Sequence, residues 1–396
     1  MNVLISGAGI AGPTLAYWLA RYGFRATLVE HAPRLRTGGY VIDFWGTGFE
    51  VAERMGLTPQ LRHLGYDIQE VRTVDTHGDR RSGFTAEVLR DAMQGRYTSI
   101  ARGDLAAAVY QSLGARVETL FGERISAIEQ DAAGVQVAFE HIPARRYDFV
   151  IGADGLHSSV RALVFGAEER FEKFLGYHVA AFETEAYRPR DELVYVGYTR
   201  PGKQVARFAM RADRTMFLFV CASDGTENVA DDAAARRFLH TQFDAAGWEC
   251  RAILAAMDRN TELYFDRVSQ IRMDTWSNGR VALVGDAAAC PSLLAGEGAA
   301  RAMTAAYVLA GELHAAAGDY ALAFARYEEH LRAFLAGKQR EAVKFAGAFA
   351  PRTALGLFVR NQAMHAFVIP AVARHFLTRS LVDRFTLPEY PEAPAR

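Results

Sequence analysis

Two short blocks of consecutive apolar residues bracket the first helical stretch of the chain. Val3–Ile5 and Ala26–Val29 are too short for helices and show no alternation, so they predict buried parallel strands. The amphipathic segment between them completes a βαβ unit. The same buried-strand pattern returns at Phe149-Val-Ile-Gly and at Arg280-Val-Ala-Leu-Val. Residues 171–222 instead alternate with period two and are rich in aromatic and β-branched residues, which predicts an antiparallel sheet.

Helices are expected from about Thr47 to Met55, stopped by Gly56, and from Arg102 to about Leu113. Residues 68–100 read as short strands, as do 116–120 and 124–149, the last around an Ala132-Ala-Gly turn. One or two helices are expected over 230–257, then strand over 260–274. A long helical tail runs from about Gly298, broken near Pro351 and Pro370. The order predicts an α/β nucleotide-binding domain, interrupted by a β-rich insertion and completed by its last strand and a helical C-terminus.

Composition narrows the function class. The chain has 396 residues, half of them apolar, and a formal net charge of −1. It is long enough for two cores, and nothing in its charge draws it to nucleic acid or anionic lipid. Its three cysteines, Cys221, Cys250 and Cys290, show no disulfide or metal-ligand spacing. The first strand begins at once, leaving no room for a signal peptide, so a reduced, cytoplasmic protein is expected. No apolar run reaches membrane-spanning length. Residues 342–385 mix apolar runs with Arg352, Arg360, Arg374, Arg379 and Arg384. A helical cap or a homodimer contact is the expected role of this segment, and membrane attachment is not.

The chemistry begins at the turn Gly7-Ala-Gly9-Ile10-Ala11-Gly12. Gly7 allows the tight turn, Gly9 lets a pyrophosphate approach the backbone, and Gly12 lets the helix pack close to the sheet. Glu30, followed by His31, ends the second strand, where a carboxylate accepts bonds from ribose hydroxyls. The acid disfavours a 2′-phosphate there, and does not separate NAD from FAD. Asp154-Gly155 and Gly285-Asp286 each stand at a strand's carboxyl end, where ligands of open α/β sheets gather. Each acid can equally cap the helix that follows. The loop after Asp286 carries Pro291, Gly296 and Gly298 before a helix, leaving room for a planar ring on its backbone. Arg102 opens a helix, with Asp104 two residues on, and its guanidinium can reach phosphate.

Taken in order, these motifs resemble the FAD-dependent aromatic hydroxylases, the para-hydroxybenzoate hydroxylase type of flavoprotein monooxygenase. The likeness spans roughly residues 1–315. It implies that Gly7, Gly9, Ile10, Ala11 and Gly12 contact the FAD pyrophosphate, with Glu30 and His31 at the adenosine ribose. It implies that Arg102 binds the phosphate and ribityl region and Asp286 the ribityl chain. Asp154-Gly155 would serve FAD and a transient NADH or NADPH, and Pro291, Gly296 and Gly298 would lie beside the isoalloxazine. The implied fold is a Rossmann-type FAD-binding domain at 1–75, 96–170 and 275–325. A β-sheet substrate domain occupies 76–95 and 171–274, and a helical tail 326–396. Ala289 stands where the family usually has His, and Gly296-Glu297-Gly298-Ala299-Ala300 replaces its Gly-Gln-Gly-x-Asn.

The implied activity is insertion of one atom of O2 into an aromatic or polycyclic small molecule through a flavin C4a-(hydro)peroxide. The flavin carries this chemistry, so no catalytic side chain or metal is expected. Asp43, Trp45, Tyr177, Tyr198, Phe208 and Phe217 are candidate substrate-lining positions, and Asp43 or His178 could take a phenol proton. Two rivals share the scaffold: an FAD-dependent reductase or dehydrogenase, and a non-catalytic FAD-holding redox partner.

Overall fold

The structure, a computed structural model, describes residues 1–36, 40–227, 229–366 and 385–391. Strand β1 (Asn2–Ser6) leads into α1 (Ala11–Arg21) and returns as β2 (Arg25–Glu30). Strand β3 (Val41–Trp45) runs into α2 (Gly46–Arg54) and α3 (Thr58–Leu64). Then come β4 (Glu70–Val74), β5 (Arg80–Thr85), α4 (Glu87–Ala92), β6 (Tyr97–Ala101) and α5 (Arg102–Gln111). Strand β7 (Glu118–Phe121) precedes a meander of β8 (Ile125–Asp131), β9 (Gly134–Phe139) and β10 (Arg145–Tyr147). Strand β11 (Phe149–Gly152) and α6 (Ser159–Val164) follow.

The second half opens with β12 (Glu172–Glu185), β13 (Val194–Arg200), β14 (Lys203–Ala209) and β15 (Arg214–Ala222). Helices α7 (Asp232–Phe243) and α8 (Cys250–Asp258) precede β16 (Tyr264–Ile271). The chain closes through β17 (Ser277–Asn278), β18 (Val281–Leu283), α9 (Asp286–Ala289), α10 (Gly298–Ala315), α11 (Tyr320–Phe349) and α12 (Ala354–Ala366).

Burial on both faces explains the apolar blocks. Strands β18, β11, β1, β2 and β7 lie side by side and parallel, and the residues of β11 and β18 are all buried. Helices α1 and α10 pack together, and α10 also meets α2 and α11. The close approach is built from small residues: a Cβ on Gly48 would overlap the Ala300 backbone.

The second large sheet runs β16-β12-β15-β14-β13-β4-β5. All its pairs are antiparallel except β13 with β4. Because β4 pairs with β13, the chain enters this sheet at Glu70, ahead of the boundary expected at residue 76. Residues 87–92, expected as strand, form α4; a two-strand ladder of β3 and β6 stands between it and the core. Helices α7 and α8 bury Leu239, Phe243, Ile253 and Leu254 against one face of the seven-stranded sheet.

Among the described residues no helix is long and apolar enough to cross a membrane. The break near Pro351 separates α11 from α12. The break near Pro370 and the residues Arg374, Arg379 and Arg384 lie outside the described residues.

Candidate functional site

The glycine turn between β1 and α1 is shaped by contact. Gly7 has φ +102°, and a Cβ there would stand 2.6 Å from the Ala153 carbonyl oxygen at the end of β11. A Cβ on Gly12 would overlap the Gly7 carbonyl oxygen, which is why α1 starts so close to the strand. At Gly9 the space is open, and the nearest atom to an added Cβ is Nη2 of Arg102, 4.0 Å away. No side chain caps α1 at Ile10, and no acid stands in its first turn. Free N–H groups, the positive end of a helix and a guanidinium therefore face one gap, the arrangement that receives a diphosphate.

Glu30 holds this turn from the other strand. Its Oε2 accepts from the Ala8 N–H at 2.9 Å and its Oε1 from the Ala32 N–H at 2.9 Å. His31 stands 3.1 Å away with its side chain half exposed. Each carboxylate oxygen keeps a second lone pair, so Glu30 can still accept from ribose hydroxyls.

Asp286 begins α9 and stays open to the same groove. Gly285 beside it reaches Ala11 of the glycine helix, 3.1 Å from an added Cβ. Burial pushes the Asp286 carboxyl up, and the nearby charges of Arg102 and Arg301 pull it back down. Arg102 donates its backbone N–H to the Tyr40 carbonyl at 3.1 Å. Glu30 thus holds the glycine turn at Ala8, and Arg102 stands between the open Gly9 and the Asp286 carboxylate, close enough to both to act on them. Gly298 opens α10 at the far end, with nothing nearer to an added Cβ than the Asp286 carboxylate at 3.8 Å.

The loop between α9 and α10 is held rigidly. The Gln270 side chain, fully buried, donates to the Pro291 carbonyl at 2.7 Å and to the Gln339 carbonyl at 2.7 Å. Ser292 adopts φ 144°, a strained conformation for a residue with a Cβ, and its hydroxyl accepts from the Leu294 N–H. Trp45 approaches to 3.9 Å of a Cβ placed on Gly296. Glu297, which replaces the family's Gln, pairs with Arg301 one turn on and with Lys338 of α11 at 3.3 Å. Its charge is therefore compensated from within the fold.

Asp154 serves the protein rather than the groove. Its carboxylate accepts from the Ser158 and Ser159 hydroxyls, the Val160 N–H and Ser6, which ties α6 to β1. Beside it the backbone is open at Gly155, φ +81°. Arg161 on α6 is fully buried. It bonds the Ala287 and Leu156 carbonyls and Glu168, bracing the strand ends that carry Asp154 and Asp286.

The seven-stranded sheet roofs the far end of the groove, and its period-two geometry sorts the candidate substrate residues. Phe217 pairs with Phe182, and Tyr198 packs on Trp248 and donates to the Ala246 carbonyl. Both face α7 and α8, away from the groove, which corrects the lining expected of them. His178 lies on that outer face too, stacked on Phe265, with burial pushing its pKa down. Tyr177 and Phe208 face inward but are sealed: Tyr177 donates to the Ala350 carbonyl and Phe208 meets Tyr66 edge to face. Tyr195, which hydrophobic patterning did not select, is an inward residue that is only partly buried. Asp43 on β3 lies close enough to raise its pKa further, beyond the effect of burial. Trp45 and Asp43 share the face of β3 that carries Tyr97 and Ser99 across the ladder.

The residues present fit FAD. The two glycine positions that contact groups would need clear, Gly9 and Gly298, are open, and the diphosphate gap faces a cation. Asp286 would hold the ribityl hydroxyls, and the loop at 291–298 would back the ring.

Comparison with known proteins agrees with the geometry. Residues 1–332 match the family model of an FAD binding domain. A flavin-dependent monooxygenase from an unknown prokaryotic organism is 35% identical over 350 residues, covering 88% of this chain and 90% of the relative. A flavin-dependent monooxygenase of Legionella longbeachae serogroup 1 (strain NSW150) is 31% identical and covers 98% of both chains. The crystal structure of the tetracycline destructase Tet(51) superposes with a TM-score of 0.83 at 31% identity, over 98% of this chain and 99% of that one. The chain is thus an FAD-dependent monooxygenase of the aromatic hydroxylase family.

Proposed function

We propose that this enzyme draws electrons from NADH or NADPH, bound only transiently, and inserts one oxygen atom of O2 into a flat aromatic or polycyclic small molecule. The observation that carries this reading is that the open Gly9, Arg102 and Asp286 stand together at the carboxyl ends of the parallel strands, beside a glycine turn held by Glu30. The chain has one glycine fingerprint and so one permanent dinucleotide site. When bound, FAD supplies the two-electron transfer and the activation of oxygen.

The chain's own residues do the rest. Arg102 and the N-terminus of α1 offset phosphate charge, and Glu30 and Asp286 fix the cofactor's two sugar-like segments. The rigid 291–298 loop, braced by Gln270, keeps the ring's bed from shifting. Tyr40, Trp45 and Tyr195 offer aromatic faces to a flat substrate and keep water from the reacting edge. Burial pushes the Tyr40 hydroxyl up to about 12, so it stays neutral at working pH. The three cysteines are all buried and free, which supports a cytoplasmic setting.

The test is a panel of aromatic compounds offered to the yellow, FAD-loaded enzyme. Accelerated NAD(P)H loss together with a product heavier by one oxygen atom is expected. Full turnover without oxygen would replace this reading with a reductase.

A further inference from the structure

Asp43 is a partly accessible acid with no counter-ion among the described residues, on the β3 face that also carries Trp45. It stands in the middle of β3, opposite Ser99 of β6. Two hydroxyls, those of Tyr97 at 2.6 Å and Ser99, both donate to the same oxygen, Oδ1. The other oxygen, Oδ2, has no partner among the described residues, and no described cation pairs with the carboxylate. The residue is neither sealed nor on the outer surface: its side chain is partly accessible while protein closes round it, and burial pushes its pKa up.

The surroundings of Oδ2 are aromatic. Tyr195 comes from the roof sheet and Trp45 from the same face of β3, with its ring against the 291–298 loop. Tyr97 lies tilted on Trp45 with ring centroids 6.5 Å apart.

A carboxylate of this kind selects its ligand. When a flat substrate fills the cleft, water leaves Oδ2 and the charge loses its solvation. A neutral hydroxyl or amide on the substrate restores one hydrogen bond but leaves the net charge buried. A protonated amine restores the bond and cancels the charge, and aromatic walls add cation–π attraction. A substrate carboxylate would be repelled.

We propose that the cleft recognises an aromatic or polycyclic substrate carrying a protonated amine, which Asp43 Oδ2 binds while Tyr97 and Ser99 hold the carboxylate in place. This rests on the reading of the cleft as the substrate site of a monooxygenase. It names the polar group of the substrate, not the carbon that is oxidised.

Four anthracene probes differing at one position test it: aminomethyl, hydroxymethyl, methyl and carboxylate. Their own fluorescence reports binding, independently of turnover, to protein whose flavin content has been read by absorbance. At neutral pH the aminomethyl probe is expected to bind about tenfold or more tighter than the hydroxymethyl probe, with the carboxylate weakest. In Asp43→Asn, which keeps the shape and an acceptor for Tyr97 and Ser99, that preference should fall to about threefold or less while FAD content is unchanged. Equal binding of the aminomethyl and hydroxymethyl probes to the native enzyme overturns the proposal, whether or not the variant folds. So does an ammonium preference that survives in Asp43→Asn, or flavin-loaded enzyme that binds none of the four. Protein that takes up no FAD sinks the monooxygenase reading itself, a separate result read before any probe is added.

Discussion

Gly9 and Gly12 lie three residues apart in one turn, yet the structure gives them different jobs. A methyl group at Gly12 collides with the Gly7 carbonyl, a backbone atom that cannot move without shifting β1. Gly12→Ala should therefore cost stability, about 1–3 kcal/mol or more, visible as a lower denaturant midpoint even without FAD. A methyl at Gly9 meets nothing but the tip of Arg102. Gly9→Ala should leave the denaturant midpoint of the FAD-free protein nearly unchanged and weaken FAD binding about tenfold or more, since the methyl occupies the phosphate's space. Equal loss of stability in both would contradict this division. Such glycines are legible in sequence because their spacing is a fingerprint. The substrate wall was not, because aromatic content marks a sheet residue without saying which face it takes. Along β13, Val194, Val196 and Tyr198 share one face and Tyr195, Gly197 and Thr199 the other. The apolar set went to the helices, and the mixed set faces the groove, so the alternation held the answer that residue type alone concealed.

At the scale of elements, the short segment between β11 and α6 is pinned to two neighbours by one side chain. His157 bonds Glu168 at 2.8 Å, just beyond α6, and Asp266 of β16 at 3.2 Å. The hydrogen bond to Asp266 is the main reason its pKa rises to about 9 from 6.5, against the opposing effect of burial. A raised folded-state pKa means that the charged His157 stabilises the fold fully below pH 6.5 and loses that contribution as pH climbs through about 9. The imidazole is largely exposed, so solvent screening keeps the effect small. Thermal melts should show the native enzyme losing more stability between those two pH values than Asp266→Asn does; parallel curves would count against the link. The sequence showed β11, its glycine turn and β16 as separate strands and turns. It gave no sign that they meet, because the pairing is made by side chains more than a hundred residues apart. Helix α4 was hidden for another reason: it has only six residues, too few for its apolar face of Val88, Leu89 and Ala92 to establish a helical period, and it lies among true strands.

The molecule is built round two large sheets braided by one chain. In this arrangement FAD would touch the ends of β1, β2, α5, α9 and α10, so its binding should tighten the entire nucleotide side. Adding FAD at about 100 times its dissociation constant to the stripped protein should contribute ~2.7 kcal/mol and raise the melting temperature by a few degrees. No rise would mean that the groove is not the FAD site. The overall plan was readable because apolar blocks announce parallel strands and alternation announces the antiparallel sheet; the entry point of β4 was not, since its parallel partner β13 comes so much later. The same interleaving sets a timetable for biosynthesis. Strand β11 pairs on one side with β1, already made, and on the other with β18, where Val150 meets Val281. On the ribosome that second edge stays bare for roughly six to twenty-six seconds while the intervening chain is translated. A nascent polypeptide carrying an unpaired, wholly apolar strand is a target for chaperones and for intermolecular pairing, so the inserted sheet also governs how safely the enzyme is born.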